Sequence, residues 1–135
     1  VPSSSDDPTM RQQWLADQRE TALSRLAART PALYAKAVPL PPAVAAWATA
    51  GRNAPGSIFL TGHIGVGKTH TAWTAVHTWL AACFDTTYRG NPVISIWRST
   101  SLFDALRPDG EDPRGVTKTA QTADLLYIDD LAAAR

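Results

Sequence analysis

Cysteine is nearly missing from this sequence: Cys83 is the only one in 135 residues. A lone thiol excludes an internal disulfide and any cysteine-based metal site. Its position in an apolar, helix-spaced stretch assigns it to a core as a small residue. Excess charge is also missing. Thirteen basic residues against twelve acidic ones leave a net +1, so any affinity for a phosphate backbone would have to come from a local cluster of Lys and Arg. No apolar run approaches the roughly 20 residues of a membrane-spanning helix. The first residues, Val1 to Pro8, are polar and acidic, without the basic start and apolar middle of a secretory signal. A cytoplasmic protein that does not engage a membrane is the expectation. No internal repeat is found.

What is present is ordinary globular composition, with 44% apolar and 19% charged residues and a mean hydropathy of -0.16. Residues 1–30 read as a polar tail and one helix. Asp7-Pro8-Thr9 is a helix start, and Met10 to about Ala28 carries a weak apolar stripe of Leu15, Ala22, Leu23 and Leu26. Thr30-Pro31 ends this helix. Such a stripe either packs on its own domain or docks on a partner. Residues 31–135 read as the main domain. Prolines 39, 41 and 42 break the next segment, and a second helix is expected over Ala43 to Ala50, stopped by Gly51. Asn53-Ala54-Pro55-Gly56 is a turn.

Ser57-Ile58-Phe59-Leu60-Thr61 is a short apolar run between glycines and predicts a buried parallel strand. Beyond a glycine-rich loop, Ala72, Val76, Trp79, Leu80 and Cys83 recur at helical spacing, with His70, Thr74 and His77 on another face. A helix from Lys68 to about Phe84 follows. Val93 to Trp97 predicts a second strand, Ser99-Thr100-Ser101 a cap for a short helix reaching Arg107, and Leu125 to Ile128 a third strand ending in Asp129-Asp130. Pro108 to Thr122 lacks apolar periodicity and reads as an exposed loop with at most a helical turn. Its Arg114 and Lys118 are either solvated charges or contacts to DNA.

The loop itself is specific. Gly62-His63-Ile64-Gly65-Val66-Gly67-Lys68-Thr69 fits G-x-x-x-x-G-K-[ST] at every fixed position. Glycines allow successive N–H groups to turn inward as a nest, and the following helix directs its positive end at the same point. Lys68 can reach β- and γ-phosphates, and the Thr69 hydroxyl can coordinate Mg²⁺. A plain glycine turn before a helix is the competing reading, but the match arises by chance only on the order of a few times per thousand chains of this size. The phosphate-binding residues are therefore Gly62 to His70, with His63 at a variable position. The acidic pair after the last strand is weaker alone, since either acid can cap a helix. Downstream of a phosphate loop, Asp129 is placed to organise magnesium and Asp130 to polarise an attacking water. His70 and His77 are seven residues apart without a nearby carboxylate, which disfavours a zinc site.

The run GHIGVGKTHT, Gly62 to Thr71, together with ADLLYIDDLAAAR, Ala123 to Arg135, resembles the AAA+ ATPases of the DnaC/IstB type. Ser101 to Arg107 resembles the helix that follows the family's second strand, and the resemblance spans roughly Tyr34 to Arg135. It implies an α/β, three-layer P-loop NTPase domain of AAA+ type with a parallel sheet, preceded by an N-terminal helical segment. It implies ATP and Mg²⁺ as ligands, with Lys68 and Asp130 catalytic, Thr69 and Asp129 on the metal, and Walker A and Walker B roles for the loop and the acidic strand. Tyr34 and Val38 occupy the segment where relatives wrap adenine, or else they are core packing. Many AAA+ relatives have Glu where Asp130 stands. Helicase loading in DNA replication, or help to transposition, is the implied function, with single-stranded DNA, a replicative helicase or transposase, and a homo-oligomer as implied partners. The family domain continues past its acidic strand with a sensor strand, an arginine finger and a helical lid. The sequence is thus expected to hold three of the usual five strands. A nucleotide-binding module without turnover and a small-molecule P-loop kinase are the alternatives, the latter disfavoured by the Asp-Asp pair.

Overall fold

The computed structural model describes residues 8–60, 67–85, 88–110 and 112–129, which fall into two compact units, 1–91 and 92–135. The architecture is mixed α/β, mostly helical, with a small parallel sheet of two strands among the described residues. No helix among them is long and apolar enough to cross a membrane.

The first unit is organised around one helix. Helix α1 (Pro8–Arg29) and helix α2 (Pro42–Thr49) both pack against α3 (Lys68–Ala82). The expected stripe on α3 holds in part: Val76, Trp79 and Leu80 are buried, as is Cys83 just beyond the helix. Trp73, Thr74 and Ala75 are buried as well. Burial on more than one face follows from the central position, because neighbours cover α3 from several sides. Val44 and Ala48 of α2 and Leu26 of α1 complete this core with Phe84. The packed face of α1 is thus directed, through Leu26, toward its own unit.

The elements joining these helices are held by short polar contacts. A 3-10 turn at Ala32–Tyr34 follows α1, and another at Gly51–Asn53 follows α2. Gly51, at φ 55°, needs its missing side chain: a Cβ there would come within 3.1 Å of the Ala82 backbone. Thr30 ends α1 by donating from Oγ1 to the Leu26 carbonyl at 2.8 Å, and His77 Nε2 lies 2.9 Å from the same hydroxyl. The hydroxyl proton is spent on Leu26, so His77 donates and its Nε2–H tautomer is fixed.

Burial holds His77 below its ordinary value of 6.5. With the folded value under the unfolded one, the unfolded chain takes up more protons as the pH falls. The contribution of neutral His77 is complete above the unfolded value and is lost as pH drops through the folded value. Thermal unfolding midpoints should therefore fall between about pH 7 and pH 5, and His77→Gln should flatten part of that acid limb. An identical pH profile in the variant would remove His77 from this role.

The second unit is a parallel pair with its crossover. Strand β1 (Ile94–Arg98) leads into α4 (Ser99–Leu106), then α5 (Pro113–Thr122), and returns as β2 (Leu125–Asp129). The register pairs Ile94 with Leu125 and Arg98 with Asp129. Asp124 locks the entry: its carboxylate accepts from Val93 N–H at 2.7 Å, while its own N–H donates to the Val93 carbonyl at 2.8 Å.

Two expectations are corrected. Residues 57–60 form no strand, and Phe59 is 66% exposed. A strand is defined by its ladder, and this run has no hydrogen-bonded neighbour among the described residues; Thr61 lies outside them. The stretch from Pro108 to Thr122 is not a loop throughout, since α5 occupies its second half. Asp112 caps that helix by accepting from Gly115 N–H at 3.1 Å, and Pro113 stands in the first turn. Thr117, Thr119 and Thr122 each return a hydroxyl to the carbonyl four residues earlier. In α4 the N-cap position is Arg98, with no side-chain cap, and Ser99 is fully buried inside the helix. The serines there therefore do not cap as expected.

Candidate functional site

The phosphate motif divides at Gly67. Gly62, His63, Ile64, Gly65 and Val66 lie outside the described residues, as does Asp130. Gly67 immediately precedes α3 in a left-handed conformation, φ 82° and ψ 21°. Only glycine adopts this region without strain, and among the described residues no atom lies within 4 Å of where a Cβ would project. Gly67 brings no side chain to cap α3, so the helix presents its first turn, Lys68-Thr69-His70, with backbone donors and the positive end of the dipole. Lys68 and Thr69 are half-buried there. Among the described residues no hydrogen bond or ion pair engages the Lys68 side chain.

His70 has a different task from its neighbours. Its Nε2–H donates to the Lys36 carbonyl, and its ring meets that of Tyr34 edge-on, with centroids 5.6 Å apart. One turn further along α3, Thr74 Oγ1 accepts from the Val38 backbone N–H at 3.1 Å. The segment 34–38 is thereby fastened along the first two turns of α3. This explains why Thr74 is buried although it lies on the polar side of the sequence pattern. The structure thus brings Tyr34 and Val38 beside the helix that begins at Lys68, through contacts that spacing alone does not reveal.

Comparison with protein-family models, curated proteins and solved structures gave no match.

In the second unit, Asp129 closes β2, half-buried and in register with Arg98. Carboxyl ends of parallel strands are where α/β folds place functional acids. No group of three or more His, Cys, Asp or Glu gathers among the described residues. Magnesium does not require one: it is commonly held by one or two carboxylates together with substrate phosphates and water. The Thr69 hydroxyl of the first unit and the Asp129 carboxylate of the second are each hard oxygen donors of the kind magnesium takes.

Proposed function

We propose that this chain binds ATP with Mg²⁺ as a P-loop nucleotide-binding protein of AAA+ type, its phosphates held by Gly62 to His70. The observation that carries the reading is Gly67 in left-handed conformation at the head of an uncapped α3, one residue before Lys68. That arrangement suits the end of a phosphate nest, where backbone donors and a lysine meet a polyanion. Lys68 would contact the β- and γ-phosphates, and Thr69 and Asp129 would hold Mg²⁺. The metal, when bound, supplies charge neutralisation for the phosphates. Asp130 would accept a proton from the water that attacks the terminal phosphate. Tyr34 and Val38, fastened beside α3, would flank the adenine, and His70 would position them. By the resemblance of its two motifs, the ATPase would serve helicase loading or transposition on single-stranded DNA, as an oligomer with a helicase or transposase partner.

The metal assignment has its own experiment. A fluorescent ATP analogue is titrated into the wild-type chain and Asp129→Asn, with Mg²⁺ and with EDTA. Wild-type affinity should rise with Mg²⁺ and the variant's should rise much less, by roughly tenfold, because an amide is a weaker partner for a hard cation than a carboxylate. Equal Mg²⁺ dependence in the two proteins would remove Asp129 from the metal.

A further inference from the structure

A recess in the first unit is lined in part by residues that follow the C-terminal end of α3, the opposite end from Lys68. It is lined by Arg11, Trp14 and Gln18 of α1 and by Tyr88, Gly90 and Asn91, and it is a shallow, open recess of about 530 Å³. That volume is within the range of small-molecule sites, roughly 300–1,000 Å³. The three α1 residues stand three and four positions apart, so they share one face of the helix.

The chemistry of the lining is selective. Two half-buried rings form its apolar part: Trp14 meets Tyr88 edge-on at 5.5 Å, and buried Phe84 stacks against Tyr88 at 5.4 Å. The polar part consists chiefly of donors. Among the described residues neither Arg11 nor the Gln18 amide has an ion pair or hydrogen bond, and none that lines the recess carries a carboxylate. Tyr88 donates its hydroxyl proton to Asn91 Oδ1 at 2.7 Å, which leaves the Asn91 amide group to donate.

The loop side of the recess is prearranged. Arg52 donates to the Arg89 carbonyl at 3.2 Å and to the Gly90 carbonyl at 2.9 Å. Gly90 takes φ 96°, a conformation that side-chain-bearing residues rarely adopt. Tyr88 and Asn91 are therefore held on either side of a fixed turn, which lowers the ordering cost of binding.

We propose that this recess binds a nucleotide unit, its base against the Trp14 and Tyr88 rings and its phosphate on the Arg11 guanidinium. The Trp14 and Tyr88 rings stand at 81° to each other, so a planar base can stack on one of them and meet the other edge-on. A guanidinium among neutral donors, with no acid among the described residues to neutralise it, favours an oxyanion. A base joined to a phosphate satisfies both demands, and the free mononucleotide and a residue of a single strand share that chemistry.

The test follows the Trp14 indole N–H signal by NMR, identified by its loss in Trp14→Phe. The protein is the full chain carrying Lys68→Ala, which weakens binding at the phosphate loop if that assignment holds and changes nothing at the recess if it does not. One arm adds adenosine 5′-monophosphate and the other an eight-nucleotide oligothymidylate, both without Mg²⁺. Saturable movement of the Trp14 signal is expected, with affinity reduced about tenfold by Arg11→Ala and unchanged by Arg19→Ala, a charge-matched control on the same helix. Movement with the monophosphate identifies a free nucleotide as ligand, and movement with the oligonucleotide alone identifies a strand. An unmoved Trp14 signal at millimolar concentrations of both, or equal affinity in Arg11→Ala, would overturn the proposal.

Discussion

Replacing Lys68 with alanine should lower the affinity for Mg²⁺-ATP by about ten- to a hundredfold. The estimate follows from losing a charge-assisted contact to phosphate, roughly 1.5–3 kcal/mol, at about 1.4 kcal/mol per tenfold. The same substitution should leave the unliganded protein almost as stable as before, because no partner among the described residues depends on the Lys68 ammonium and alanine is a good helix former. Calorimetric titration gives the first quantity and thermal unfolding the second. A variant that binds ATP as tightly as wild type would show that Lys68 is a solvated helix residue. A variant that unfolds many degrees earlier would show that it has a structural task.

The largest expected effect on stability is at Trp79. This residue is only 3% exposed on the helix that carries the first unit. Trp79→Ala should cost about 3–5 kcal/mol through lost transfer energy and the cavity left behind. That is a large share of the roughly 5–15 kcal/mol by which domains are stable. Urea unfolding followed by circular dichroism should show the midpoint falling sharply. Circular dichroism is preferred to fluorescence because the substitution removes one of five tryptophans. A loss below about 1 kcal/mol would mean that α3 is not the centre of the core.

Some elements were legible in the sequence because their signals are local. Helix α3 announces itself by apolar spacing and by the glycine before it, and β2 by four apolar residues ending in acid. Helix α5 was harder to read because it buries no residue. Its helical signals are a capping Asp112, a proline in the first turn and hydroxyls bonded back along the backbone, so a search for apolar periodicity passes over it. The run at Ser57 carries strand-forming residue types, yet residues 57–60 have no ladder among the described residues, and composition does not specify a pairing partner. For the proposed phosphate site, the sequence alone nominates Lys68 and Thr69, since the motif is contiguous. The attachment of Tyr34, Lys36 and Val38 to His70 and Thr74 joins parts of the chain that are distant in sequence, so spacing does not reveal it. The recess at Trp14 and Tyr88 was hidden for the same reason, since it joins one face of α1 to residues some seventy positions further on.

The central claim is that the motif from Gly62 to Thr69 recognises the β- and γ-phosphates of a nucleotide. Calorimetric titration of the wild-type chain with ATP and with AMP, both in Mg²⁺, tests it most directly. ATP should bind at least about a hundredfold more tightly than AMP, a difference of about 2.7 kcal/mol that the two additional phosphates supply through Lys68 and the helix end. Equal affinities, or no heat with ATP at millimolar concentration, would contradict the claim.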